Sequence, residues 1–327
     1  MFLYKHNLIA GLLLEFAGLL GFAINYYILF RIIGARIFGR KLGYIWMSRE
    51  MAHCFASTMF IAFIGPVSLW NPSIFEEFMA QQILHLIYLF KSAVYFTNLL
   101  IAVNRAVMVL SPLQYKTMFD YSRTILYITC TWIASVCAAL PNVINPCQQT
   151  SLNSSVSYYA HRDECSRYIH LFDVLYAPVL FLITVVINMA VLWKLYRLPE
   201  QRKELSLCTA KKSNELRLSY MIMAEVTSAL LMICIQRFGF LFKDELVSFM
   251  LTTFTWSIAS AFDGLIVVIF NAGLLPESTM LDTLPLLIFP LLLLLLLKIA
   301  MFLVFCTPHL ENEIPPADSQ DDLIESV

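Results

Sequence analysis

The sequence predicts an all-α membrane protein, a seven-transmembrane helix bundle with an additional C-terminal hydrophobic segment. Three observations lead there: the composition, the length of the apolar runs, and the confinement of charge to the gaps between them. Of 327 residues, 59% are hydrophobic and only 14% charged, more apolar surface than a soluble domain with a wetted exterior can cover. The apolar runs are roughly 20 residues long, the length of helix that crosses a hydrocarbon core. Lipid offers backbone groups no hydrogen-bond partner, so such runs are helices; barrel strands would alternate with a period of two. A net charge of −1 points to no nucleic-acid partner.

Seven runs are expected at about 8–33, 51–70, 82–110, 125–144, 171–196, 219–242 and 247–271. The first is too long for a cleavable signal peptide and reads as a signal-anchor span. Lys and Arg in the short loops set the orientation. Loop 34–50 carries Arg36, Arg40, Lys41 and Arg49; loop 111–124 carries Lys116 and Arg123. Segment 194–217 carries Lys194, Arg197, Arg202, Lys203, Lys211, Lys212 and Arg217. The opposite set holds only Lys5, Arg162, Arg167 and Lys243, so thirteen cations face four and the N-terminus lies outside. The outer loop 145–170 then contains Asn153-Ser154-Ser155, an N-glycosylation acceptor that works only on that side. Cys147 and Cys165 share this oxidising loop and are expected to form a bridge, the alternative being two free or differently paired thiols. The six other cysteines have no metal-ligand spacing and read as small apolar residues.

That orientation puts Asn104-Arg105 at the cytoplasmic end of the third run, ahead of Ser111-Pro112-Leu113-Gln114-Tyr115-Lys116 and Phe119. An arginine there, followed by a short loop with Pro112 and Tyr115, resembles the rhodopsin-like G protein-coupled receptors. Gly21 and Asn25 in the first run, Trp132 in the fourth and Pro178 in the fifth agree. The likeness is closer to the nematode chemoreceptors called serpentine receptor class x. It rests on Phe38-Gly39, on the Asn104–Phe119 block, and on FMLTTFTWSIASAFDGLIVVIFN at 249–271, with Trp256, Asp263-Gly264 and Asn271. The resemblance implies a small-molecule chemical ligand outside, a heterotrimeric G protein inside, no cofactor, and a multi-pass protein in the plasma membrane of sensory neurons. It gives Asn104, Arg105, Pro112 and Tyr115 to G protein coupling. Asn104 stands where most of the superfamily has an acid, so the usual acid–arginine restraint is expected to be absent. The sixth run lacks proline, the seventh ends in VIFN, and no cysteine stands at the outer end of the third.

Ionisable residues inside spans are costly and are functional candidates. Tyr88, Lys91, Tyr95, Asn98, Ala102 and Arg105 are spaced by 3, 4, 3, 4 and 3, so they share one helix face. Lys91 lies about 21 Å outward of Arg105 at 1.5 Å per residue, in the half where the superfamily binds ligands. Lys91, Tyr88 and Tyr95 are therefore the ligand-binding candidates, with an internally bonded structural lysine as the plainer reading of Lys91. Ile87 stands where amine receptors carry aspartate, which disfavours a biogenic amine. Glu225 and Asp263 fall at one depth, where two close acids would share a proton or an ion, a static polar network being the plainer reading. With Asn25, Asn98 and Asn271 they form the set of polar switch candidates.

The receptor domain is thus expected over 1–271, the extra apolar segment over 272–310 and an acidic, disordered tail over 311–327. Residues 284–306 read as an eighth span, as a segment lying in or on the membrane, or as a gene-model artefact, and the sequence leaves the three open. A transporter or channel is the competing class, but the chain shows no internal repeat or pore motif. An intramembrane enzyme would need a catalytic motif, and the six histidines are dispersed.

Overall fold

The computed structural model describes the backbone of residues 2–35, 38–70, 78–143, 150–152, 158–160, 164–197, 206–239, 241–242 and 244–271. Side chains are described at 7–34, 38–70, 83–140, 175–197, 215–239, 241–242 and 244–271. Seven described helices are long and apolar enough to cross a membrane: Asn7–Gly34, Arg40–Trp70, Ile83–Leu110, Tyr121–Leu140, Leu175–Arg197, Glu215–Gly239 and Glu245–Phe270. They are the first to seventh spans below.

The first span packs on the second and seventh. The third is the hub, touching the second, fourth and fifth, and the sixth lies between the fifth and seventh. A soluble bundle would turn its leucines and phenylalanines inward. Here Phe16, Phe30, Leu126, Ile133, Leu182 and Val186 face outward, while Arg49, Glu50, His53, Lys91, Arg105, Glu225 and Asp263 are buried. Lipid covers the first set, and only a protein interior can satisfy the second.

The second span departs most from expectation. Its helix begins at Arg40, so Arg49 lies inside the bundle and is not a loop cation. The charge asymmetry between the two faces does not depend on it. Gly39 opens this helix at φ 70° and ψ −175°, a backbone region that essentially only glycine occupies. Phe38 beside it stacks on Trp46 at 4.8 Å. This is why a Phe-Gly pair stands at the turn. Two thirds of the way along, Phe60–Ile64 widens into π-helix just before Gly65–Trp70. Pro66 has no N–H and its ring crowds the preceding turn, and local widening relieves that clash.

The seventh span has a similar stretch at Met250–Phe254. Thr255 donates to the carbonyl of Met250, five residues back, at 2.9 Å. The fifth helix extends from Glu164 to Arg197, starting well before 171, and carries Pro178 inside. Between the fourth and fifth helices, Thr150–Leu152 pairs antiparallel with Tyr158–Ala160, the only strands among the described residues. Cys147, Asn153 and all of 272–327 lie outside the described residues, as does the side chain of Cys165.

Candidate functional site

Two buried polar groups occupy the bundle, one at its inner end and one at its centre. At the inner end, Arg105 lies five residues before the end of the third span and is 1% exposed. Its guanidinium pairs with the Glu215 carboxylate and donates to the Glu215 carbonyl at 3.2 Å. Glu215 is the first residue of the sixth span. The expected absence of an acid–arginine restraint is therefore corrected. Asn104 is not acidic, but an acid from another helix takes up the arginine. Asn104 is itself fully buried.

Pro112 begins the short helix Pro112–Met118, where its fixed φ suits the first turn and its missing N–H costs nothing. Tyr115 on that helix stacks on Phe119 and receives the Lys41 ammonium 5.2 Å from its ring centroid. Burial pushes the Tyr115 phenol above its ordinary pKa, with Asn104 and Arg105 acting in the other direction. The loop after Arg105 is thereby tied to the start of the second span.

At the centre, Arg49 joins three helices. Its Nε donates to Asn98 Oδ1 of the third span at 2.7 Å. Its Nη1 donates to the neighbouring Glu50 at 2.7 Å. Its Nη2 lies 3.2 Å from Glu225 Oε1 of the sixth span, and the group stands 4.8 Å over the Trp46 ring. One turn outward, His53 Nε2 lies 3.7 Å from Asp263 Oδ2 of the seventh span. Lys91 donates to the Trp256 carbonyl at 3.2 Å and to Ser260 Oγ at 2.9 Å, both on the seventh span. Glu225 and Asp263 thus each meet a partner on the second span.

The remaining polar candidates are fasteners between helices. Asn25 donates to the Gly21 carbonyl at 2.7 Å and to the Ser260 carbonyl at 3.0 Å, joining the first and seventh spans. Asn271 donates to the Val267 carbonyl and to Met221 Sδ of the sixth span. Trp132 donates to Ser48 Oγ at 2.9 Å.

The third-span face runs through both groups. Tyr88 packs against Trp256 at 5.6 Å and Tyr95 against Phe181 at 5.0 Å. Outward of Lys91 an apolar cluster gathers Leu14, Phe60, Ile64, Ile87, Phe249 and Trp256. Sequence reasoning missed Arg49, Glu50, His53 and Glu215. A signal for the second-span residues does exist: Trp46, Arg49, His53, Ala56 and Phe60 are spaced by 3, 4, 3 and 4, and all are buried. Extending the apolar run back from residue 51 on that period exposes the stripe. Among the described residues no group of His, Cys, Asp and Glu is arranged to hold a metal ion.

Squid rhodopsin has the same fold: its crystal structure matches with a TM-score of 0.69 at 15% identity over 86% of each chain. Comparison with curated protein sequences gives no match. The profile of the family described as serpentine type 7TM GPCR chemoreceptor Srx matches residues 16–271. That range contains most of the first span, the other six spans whole and both buried polar groups, and the chain belongs to the Srx family of seven-transmembrane G protein-coupled chemoreceptors.

Proposed function

We propose that this receptor sits in the plasma membrane of sensory neurons, binds a small and largely apolar molecule from outside, and activates a heterotrimeric G protein inside. The observation that carries the reading is the pairing of Arg105 with Glu215, which ties the inner ends of the third and sixth spans. A ligand that binds better when these ends are apart shifts the population toward a bundle with a free guanidinium at its inner mouth. Asn104, Pro112 and Tyr115 shape that mouth for the G protein. Tyr88, Lys91 and Tyr95 contact the ligand, with Lys91 suited to an acceptor such as a carbonyl or carboxylate. Oxidation joins Cys147 to Cys165, and Asn153 carries a glycan.

The test is Arg105→Ala in cells expressing the full chain, with cAMP and calcium read against pools of small odorants and pheromone-like metabolites. The variant reaches the surface at the wild-type level and gives no response to a pool that activates the wild type. Full signalling by the variant overturns the assignment.

A further inference from the structure

The central group carries one more acid than it has Lys and Arg. Arg49 and Lys91 are its bases and Glu50, Glu225 and Asp263 its acids, with His53 set beside Asp263. All six are 8% exposed or less. The fifth span, which also packs on the sixth, buries no ionisable group among its described residues. Two carboxylates, Glu50 and Glu225, converge on the single guanidinium of Arg49. An uncompensated charge in dry surroundings is expensive, and the ordinary remedy is for one acid to take up a proton.

The geometry also says which acid. Glu50 accepts a hydrogen bond of 2.7 Å from Nη1. Glu225 Oε1 lies 3.2 Å from Nη2 but makes no hydrogen bond, and that Nη2 has no hydrogen-bond partner either. Arg49 is engaged with Glu50 and only loosely with Glu225.

We infer that the Arg49–Glu50–Glu225 trio is a proton-binding site, with one proton held on Glu225. The proton comes from cytoplasmic water and adds to a carboxylate oxygen, leaving one cation and one anion in the trio. The consequence concerns movement. A neutral Glu225 can draw away from Arg49 without breaking an ion pair, while the sixth span keeps its ion pair to Arg105 at the inner end. This site is separate from the proposed ligand contacts, and its test needs no ligand.

The experiment is infrared spectroscopy of the purified full chain in lipid nanodiscs at neutral pH, reading the carboxylic-acid C=O stretch. Glu225→Asp moves the band to the aspartic-acid position, whereas Glu50→Asp leaves it where it was. Both substitutions keep an acid on the same helix and leave the bundle intact. Repeating the wild-type spectrum with sodium replaced by a bulky organic cation leaves the band unchanged. A band that ignores Glu225→Asp, or that follows Glu50→Asp, overturns the assignment. So does a band that appears only when sodium is withdrawn, because the trio would then hold a metal cation in place of the proton.

Discussion

Replacing Arg49 with Met removes the cation around which the bundle centre is organised. Arg49 is fully buried and bonded to Asn98 and Glu50, with Glu225 beside it. Its loss leaves Glu50 charged and Asn98 Oδ1 without its donor. Breaking a buried pair by deleting one partner costs about 3–5 kcal/mol. At about 2–4 °C per kcal/mol for chains of some 150–250 residues, the melting temperature falls by roughly 10 °C. Heating the detergent-solubilised receptor and following loss of the monodisperse species by size exclusion reads this shift.

The same reasoning fixes a control and a rescue. Arg123 and Asp120 are about half exposed and 4.0 Å apart, and Arg123→Ala changes the melting temperature by a few degrees at most, because exposed pairs contribute about 0–1 kcal/mol. Combining Arg49→Met with Glu50→Gln and Glu225→Gln recovers most of the loss, since a neutral buried group needs no counter-charge. The account is refuted if Arg49→Met melts with the wild type, or if the triple variant is no more stable than the single one.

Other outcomes follow from the same geometry. Glu215→Gln removes the ion pair that holds Arg105, so ligand-free signalling in the cAMP or calcium assay rises several-fold; unchanged basal output at equal surface expression shows that the pair restrains nothing. Lys91→Met deletes two hydrogen bonds to the seventh span and the proposed ligand contact, and potency falls at least tenfold once an active compound is in hand. Unchanged potency with normal expression withdraws Lys91 from the ligand site and leaves it a fastener. Gly264→Ala places a methyl group 2.7 Å from both Asn25 Oδ1 and Ile24 Cγ2, where the first and seventh spans meet. Overpacking of that kind costs about 1–3 kcal/mol, and the thermal assay shows a lower midpoint; a wild-type midpoint means the two helices are not that close.

Apolar runs and cation placement were enough to read the seven spans, because membrane insertion is itself a local, additive property of sequence. The face from Tyr88 to Arg105 was legible for a similar reason, since helical periodicity needs nothing from other helices. What binds Arg49 was not. Its partners Asn98 and Glu225 lie on other helices, and a charged pair beside an apolar run looks like loop until those partners are known. Glu215 was hidden in RLPEQRKELSLCTAKKSNELR, which reads as a solvated basic connection although helix begins at Ser206. The π stretch before Pro66 had a visible cause, whereas the one at Met250–Phe254 is marked by no proline.

The stretch at Phe60–Ile64 separates the second span into an inner portion bearing Arg49 and His53 and an outer portion ending at Trp70. One residue more or less there rotates the whole outer portion by about 100° while the inner portion keeps its phase. Single-codon insertions and deletions at this point would thus present new side chains to whatever enters from outside and leave the intracellular machinery undisturbed.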